Sequence, residues 1–151
     1  DNPLALLSAA IREVWEETGL MFASPTSNKK SISNGLHWDA FRELGLGPCA
    51  KGFHFIFRAI TPPQRTRRFD ARFFLVDAKG IIGDLDDFSK ASDELSHLNW
   101  FTFKEARNLD LPFITEIVLA EAEAQMKKIN CPASVPFFNN TTEKSEFIRL
   151  H

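Results

Sequence analysis

The amino-acid sequence predicts an α+β fold with a mixed sheet, and three periodic patterns predict it. Apolar residues recur at helical spacing in the first 18 residues and again after Pro112, whereas residues from Phe53 onwards alternate with a period of two. These patterns indicate mixed helices and strands without internal repeats. The 151 residues, 44% of them hydrophobic, can bury a sizeable core and predict a single domain over residues 1–151.

The first helix is predicted to begin at Pro3 and to run to about Thr18, with Gly19 as the left-handed residue that ends it. At about 100° per residue, one side of this helix is apolar. The residues of that side are Leu7, Ile11, Val14, Trp15 and Thr18. The opposite arc of roughly 100° carries Glu13, Glu16 and Glu17. The helix is therefore expected to bury an apolar back and to present an acidic front.

The other elements follow from periodicity and from turn or capping residues. In chain order, a short strand is predicted at 20–22, a polar loop at 24–35, a short helix at 36–44, strands from Phe53 to the Pro62–Pro63 turn, at 69–76 and at 95–101, a short helix from the Thr102–Glu105 capping box, and a long helix from Pro112. The buried stripes of two helices are expected to be Trp38, Phe41 and Leu44, and Ile114, Ile117, Val118, Ala122, Met126 and Ile129. The acidic segment 77–92 is interpreted as solvated, and the chain after Cys131 as irregular, with Phe137 and Phe138 packing on the sheet or near a ligand.

Charge and composition exclude several classes of partner. A net charge of −2 and a pI near 6.1 predict no general attraction to nucleic acid or to anionic membrane. No apolar run approaches the roughly 18 residues of a membrane span. Two cysteines, Cys49 and Cys131, are too few for a disulfide framework and suit a reducing cytoplasm. The histidines lack metal-ligand spacing, and no G-x-S-x-G elbow occurs.

The clustering of three glutamates on one arc of the first helix is unfavourable in itself and calls for a physical explanation. Like charges three and four residues apart cost a few tenths of a kcal/mol per pair, so the arc repels itself unless a cation lies against it. Mg²⁺ prefers hard oxygen ligands and takes a few carboxylates, leaving its other positions to water and phosphate. The alternative is a solvated helix face, with Arg12 as a local counter-charge for the glutamates.

The segment Arg12–Leu20, R-E-V-W-E-E-T-G-L, resembles the C-terminal core of the Nudix box, the signature of the Nudix hydrolases. Chance alone would place this pattern at a given position on the order of once in 10⁷. The resemblance implies an α/β/α sandwich and a hydrolase that uses Mg²⁺ or Mn²⁺ to cleave the diphosphate linkage of a nucleoside diphosphate derivative. It implies Glu13, Glu16 and Glu17 as metal ligands, with Glu13 either a third ligand or the general base.

The resemblance also bears on two residues near the acidic arc. Arg12 is expected to orient a glutamate rather than to contact substrate. Glu94 falls where some family members place an additional base, although a solvated loop residue is the preferred interpretation.

The upstream half of the Nudix box is absent. Its glutamate would fall on Leu4, and its glycine would fall before Asp1. An insertion within the box or an incomplete start would explain both, and the missing initiator Met favours the second. The chain is therefore expected to lack N-terminal strands of the family fold.

A second informative segment, from Thr61 to Phe74, reads T-P-P-Q-R-T-R-R-F-D-A-R-F-F. Its arginines Arg65, Arg67 and Arg68 can grip phosphate oxygens and are candidate substrate-binding residues; a solvated turn pairing with the Asp-rich loop is equally compatible. This string, with E-L-x-x-L-x-W and L-P-F-I-T further on, looks like bacterial Nudix hydrolases related to the peroxisomal coenzyme A diphosphatases. That likeness implies coenzyme A or acyl-coenzyme A as candidate substrates, but the motif that marks coenzyme A specificity lies upstream in those relatives.

Three classes of function are therefore carried forward. The first is a Nudix-type pyrophosphohydrolase acting on a small nucleoside diphosphate substrate, without nucleic-acid or membrane partners. The second is a catalytically silent Nudix-like module that binds a nucleotide or regulates. The third is a plain interaction domain with an acidic helix face. The oligomeric state stays open, a dimer included.

Overall fold

A computed structural model describes residues 2–26, 38–127, 132–142 and 144–151. The helices are α1 (Pro3–Thr18), α2 (Asp39–Glu43), α3 (Phe103–Ala106) and α4 (Phe113–Met126). The strands are β1 (Met21–Pro25), β2 (Leu46–Pro48), β3 (His54–Ile60), β4 (Asp70–Leu75), β5 (Ile81–Ile82), β6 (Val135–Asn139) and β7 (Glu146–Leu150), with a 3₁₀ turn at Ala78–Gly80. Helices and sheets occur together, which confirms the α+β class.

Residue contacts divide the chain into two compact units. The first unit comprises the described residues of Asp1–Phe53 and Val76–Trp100, and the second those of His54–Leu75 and Phe101–His151. The first holds an antiparallel sheet in the order β2-β1-β5. The second holds a sheet in the order β4-β3-β6-β7, in which only β3 and β6 pair in parallel. The sheet prediction is thus confirmed as mixed in the second unit, whereas the single domain stays a prediction.

Helix α1 has the predicted ends and the predicted buried side. The Asn2 side chain accepts hydrogen bonds from the N–H groups of Leu4 and Ala5, which caps the first turn. Gly19 ends the helix at φ 73° and donates its N–H to the carbonyl of Trp15 at 2.9 Å. The core of this unit, against which Val14 and Trp15 pack, consists of Ile11, Met21, Phe22, Ala23, Trp38 and Phe41. The apolar back of α1 is therefore confirmed.

The core of the second unit lies between α4 and the sheet. Its buried members are Ile56, Phe57, Ala59 and Ala122. Partly buried residues from α3, α4, β4 and β6 pack against them, which are Phe73, Leu75, Phe103, Ile114, Ile117, Val118 and Phe138. The capping box that begins α3 is present, because Thr102 and Glu105 bond reciprocally.

The period of two predicted for β3 breaks at one point. The pairing with β4 shifts register between Phe55 and Phe57, so β3 carries an irregularity of the β-bulge type there. Ile56 and Phe57 are consequently both buried, although strict alternation would place them on opposite faces. A bulge depends on the partner strand and therefore leaves no mark in the periodicity.

The strand predicted at 95–101 is wrong. Leu95, Trp100 and Phe101 are exposed, so no burial stabilises an extended ladder there. His97 has φ 59°, which interrupts extended backbone. The Trp100 indole instead donates to the carbonyl of Leu85 at 2.9 Å.

Other differences concern short strands and helix ends. The irregular segment predicted after Cys131 is also wrong in part, because it contains β6 and β7, and β6 carries Phe137 and Phe138 into the sheet. Leu44 and Met126 are exposed at helix ends rather than buried. The bulk of the polar loop predicted at 24–35, together with Leu36, Ile129 and Cys131, lies outside the described residues.

Candidate functional site

The acidic arc, defined as Glu13, Glu16 and Glu17, lies on the side of α1 opposite the buried Ile11. The Glu13 side chain is 51% exposed and that of Glu16 34% exposed. The three carboxylates are thus neither enclosed in apolar contacts nor spread over separate elements. The arrangement agrees with the predicted opposition of an acidic front and an apolar back.

Arg12 lies between two members of the acidic arc. Its Nη2 donates to Glu13 Oε1 at 2.6 Å, and its Nε is 3.8 Å from Glu16 Oε1. The hydrogen bond to Glu13 is the main reason that the pKa of Arg12 is raised. Such contacts fix the direction of the Glu13 carboxylate, as the orienting role predicted for Arg12 requires.

The surroundings of Glu17, a member of the acidic arc, raise the pKa of its carboxyl. Burial is the first cause that raises its pKa above the ordinary value of 4.5. The charges of three neighbouring carboxylates raise this pKa further, and these belong to Glu13, Glu94 and Glu16. An excess of negative charge therefore surrounds the Glu17 carboxyl, and a cation there would relieve it.

Glu94 reaches this cluster through a loop that packs on the end of α1. The Ser92 N–H donates to the Glu16 carbonyl at 2.8 Å, which satisfies one of the carbonyls that a helix end leaves without a partner. A Cβ added to Gly19 would lie 3.0 Å from Ala91 N. A side chain at this position would push the loop away by a few tenths of an ångström, and φ 73° itself favours glycine. This docking could not be predicted from the sequence, because contacts between a polar loop and a distant helix end leave no periodic signal.

The carboxylates of the acidic arc are chemically suitable ligands for a divalent metal ion, but the distances between them are too long for them to share one ion as they stand. Within residues 2–26, 38–127, 132–142 and 144–151, no three His, Cys, Asp or Glu side chains are close enough together to hold a metal ion. The carboxylates are hard oxygen ligands on one helical arc, and Arg12 stands between Glu13 and Glu16. Metal binding would require the glutamate side chains to rotate toward a common point.

The candidate substrate-binding arginines lie in the second unit, in the connection from β3 to β4. The guanidinium of Arg68 donates to the carbonyls of Thr61, from Nε at 3.2 Å, and of Asn140, from Nη2 at 3.4 Å. Arg65 and Arg67 are exposed, and none of the ion pairs described within this unit includes them. Arg68 thus stabilises the turn, whereas Arg65 and Arg67 stay available to a ligand.

Asn140 is a buried polar residue of the second unit that the sequence analysis missed. Its side-chain amide donates to the Ile60 carbonyl at 2.8 Å, and its side-chain oxygen accepts from the Ser145 hydroxyl. With the bond from Arg68 to its carbonyl, Asn140 connects the end of β3 to the β6–β7 turn. Nothing in the local sequence distinguishes it from a solvated turn residue.

Comparisons with family models, with curated proteins and with solved structures return no match. Within the part of the chain that the structure describes, no helix has the length and apolar character needed to cross a membrane.

The raised pKa of Glu17 predicts a pH-dependent effect on stability. Because its carboxyl binds a proton more tightly in the folded than in the unfolded chain, its contribution to stability falls as pH rises from about 4.5 through the raised pKa. Glutamine does not titrate. We expect Glu17→Gln to increase the free energy of unfolding of the metal-free protein by a few tenths of a kcal/mol at pH 7 and by less at pH 3.5.

Urea unfolding at both pH values in EDTA measures this difference. Glu105→Gln is a control of opposite sign, because hydrogen bonds from Thr102 lower the pKa of Glu105. Its contribution is present above about pH 4.5 and is lost as pH falls through the lowered pKa, so this variant should lose stability at pH 7. A Glu17→Gln variant less stable than wild type at pH 7 would contradict the repulsive arrangement.

Proposed function

We propose that the protein is a Nudix-like pyrophosphohydrolase that uses Mg²⁺ or Mn²⁺, held by the acidic arc, to cleave a nucleoside diphosphate derivative. The observation that carries this proposal is the placement of Glu13, Glu16 and Glu17 on one arc at the end of a helix whose sequence resembles the core of the Nudix box, where burial and neighbouring carboxylates raise the pKa of Glu17. A bound cation would offset the repulsion between these carboxylates, and carboxylate oxygens are ligands that Mg²⁺ prefers.

The residues take different roles in this proposal. Glu16 and Glu17 are the principal ligands, and Glu13 is a third ligand or the base. The bound metal supplies charge neutralisation at the diphosphate and lowers the pKa of a water molecule. Arg12 positions Glu13 through their hydrogen bond. Since Glu13 is engaged by Arg12, we include Glu94 as the second candidate for the base.

Turnover of a panel of diphosphates tests the proposal. The panel comprises coenzyme A, acyl-coenzyme A, ADP-ribose, dinucleoside polyphosphates and NADH, each with Mg²⁺ or Mn²⁺. We expect metal-dependent release of two phosphate-bearing products from at least one member, abolished by excess EDTA. Metal-dependent binding without turnover of any member would favour the silent nucleotide-binding module, and neither binding nor turnover would favour the interaction domain.

The arginine turn leads to a prediction about substrate choice. Arg65 and Arg67 are exposed and would favour a ligand with a phosphate beyond the diphosphate, as coenzyme A has on its ribose. Each charge-assisted hydrogen bond is worth about 1.5–3 kcal/mol when partly desolvated, so we expect Arg67→Ala to raise KM for coenzyme A about tenfold more than for ADP-ribose. Steady-state kinetics on both substrates measure this ratio.

Arg68→Ala separates substrate contact from turn stability. It removes the bonds to Thr61 and Asn140, so it should lower the melting temperature, which Arg67→Ala should leave unchanged. If Arg67→Ala changes KM equally for both substrates, these arginines belong to a solvated turn and do not bind the additional phosphate.

A further inference from the structure

A cavity of about 470 Å³ opens in the first unit. Its lining comes from β1, from the turn after β2 and from the segment between Val76 and Ile82. None of the lining residues belongs to the acidic arc or to the loop that carries Glu94. Pockets that take small molecules have volumes of this order, and the proposed hydrolase chemistry does not use this one.

Part of the cavity wall is apolar, and the chain there packs tightly on the core. Apolar side chains from Ala23, Val76 and Ile81 line the cavity, and two of them lie on strands β1 and β5, which pair with each other. A Cβ on Gly80 would lie 3.2 Å from the Phe22 ring, so the chain there is packed directly on the core. The wall of the cavity at Gly80 is therefore fixed against the core of the unit.

Two lysines, Lys51 and Lys79, line the cavity, and of these only Lys79 has an ion pair among the described residues. Lys79 Nζ is 3.7 Å from Asp77 Oδ2, so these two charges compensate each other. Lys51, which also lines the cavity, is exposed and has no ion pair among the described residues. The turn that presents it is fixed by the hydrogen bond from Phe53 N to the Ala50 carbonyl at 3.1 Å, with Gly52 at φ 83°.

We propose that this cavity binds a small organic carboxylate, with an apolar body against Val76 and Ile81 and a carboxylate against the Lys51 ammonium. A single uncompensated cation matches a single negative charge. A phosphate monoester carries nearly two charges and is usually held by several donors, which the pairing of Lys79 with Asp77 does not leave here. The site requires no metal, and it does not depend on the proposed hydrolase activity.

Calorimetric titration of the full chain with octanoate in excess EDTA tests the site. We expect saturable binding to wild type, about tenfold weaker binding to Lys51→Met, and unchanged binding to Lys104→Met, which removes an exposed lysine of the second unit. Octyl phosphate and 1-octanol should bind more weakly than octanoate. Equal affinities for octanoate and 1-octanol, equal effects of the two lysine variants, or no saturable binding would each overturn the proposal.

Cys49 offers a second readout, because it lines the same cavity. In a Cys131→Ala background it is the remaining cysteine of the chain. We expect octanoate to slow its alkylation by iodoacetamide at least fivefold, and the protection to be lost in the Lys51→Met variant. Alkylation at the same rate with and without saturating octanoate would place any octanoate binding elsewhere and overturn the assignment.

Discussion

Glu16→Gln and Glu17→Gln are each expected to lower kcat by at least about 10²-fold. Loss of a carboxylate ligand removes electrostatic stabilisation worth several kcal/mol at the reacting phosphate. The fold should persist, since both side chains lie on the acidic front of α1, partly accessible to solvent, and neither belongs to the core of the unit. Steady-state rates on the best member of the diphosphate panel, with melting curves of the same preparations, measure both effects.

Glu43→Gln is the matched control for these variants. Glu43 is an exposed glutamate at the end of α2 in the same unit, outside the acidic arc, and its replacement should leave kcat unchanged. Wild-type rates in both Glu16→Gln and Glu17→Gln, or full activity in excess EDTA, would refute the metal-hydrolase proposal.

Gly19→Ala should produce the largest loss of stability among the substitutions considered. The residue has φ 73°, a conformation that costs an L side chain about 1–2 kcal/mol. The added Cβ would also lie 3.0 Å from the backbone of Lys90 and Ala91, so the loop that carries Glu94 would have to move. We expect the free energy of unfolding to fall by about 3 kcal/mol.

Gly45→Ala isolates the part of this loss that comes from loop docking. Gly45 has φ 68°, close to that of Gly19, but an added Cβ there meets no atom within 4 Å. Both substitutions therefore place an L side chain in left-handed backbone, but only Gly19→Ala also brings the added Cβ against the loop. Gly45→Ala should lower the free energy of unfolding by only about 1–2 kcal/mol. Urea unfolding of both variants gives the comparison. Equal losses would show that the loop does not pack on the helix end as described.

The parts of the structure that were predicted correctly have local causes. The N-terminal proline and the αL glycine define the ends of α1, and the opposed apolar and acidic arcs define its orientation. The same holds for α3, whose capping box is contained in Thr102 and Glu105. In these cases a few neighbouring residues decide the conformation.

The parts that were missed depend on residues far apart in the sequence. Strands β2 and β5 are short and exist because β1 pairs with each of them. The bulge in β3 arises in its pairing with β4. The candidate site shows the same difference. Arg12 and the acidic arc could be predicted from the sequence, because they lie on one helix. The influence of Glu94 on Glu17, by contrast, arises through the packing of Ser92 and Ala91 on the helix end.

Two alternatives to the hydrolase proposal predict different behaviour. A silent nucleotide-binding module would bind metal and nucleotide but would turn over no member of the panel. An interaction domain with a solvated acidic face would bind no metal specifically, and its glutamates would tolerate replacement. The ion contacts of Arg12 with Glu13 and Glu16 suit that last interpretation as well, so metal binding itself decides between the classes.

Calorimetric titration of the wild-type protein with Mn²⁺, repeated on Glu16→Gln, Glu17→Gln and Glu43→Gln, tests the central claim most directly. The account predicts saturable binding to wild type and to Glu43→Gln, and binding at least about tenfold weaker for the two variants in the acidic arc. Absence of saturable Mn²⁺ binding to wild type, or identical affinities across all four proteins, would contradict it.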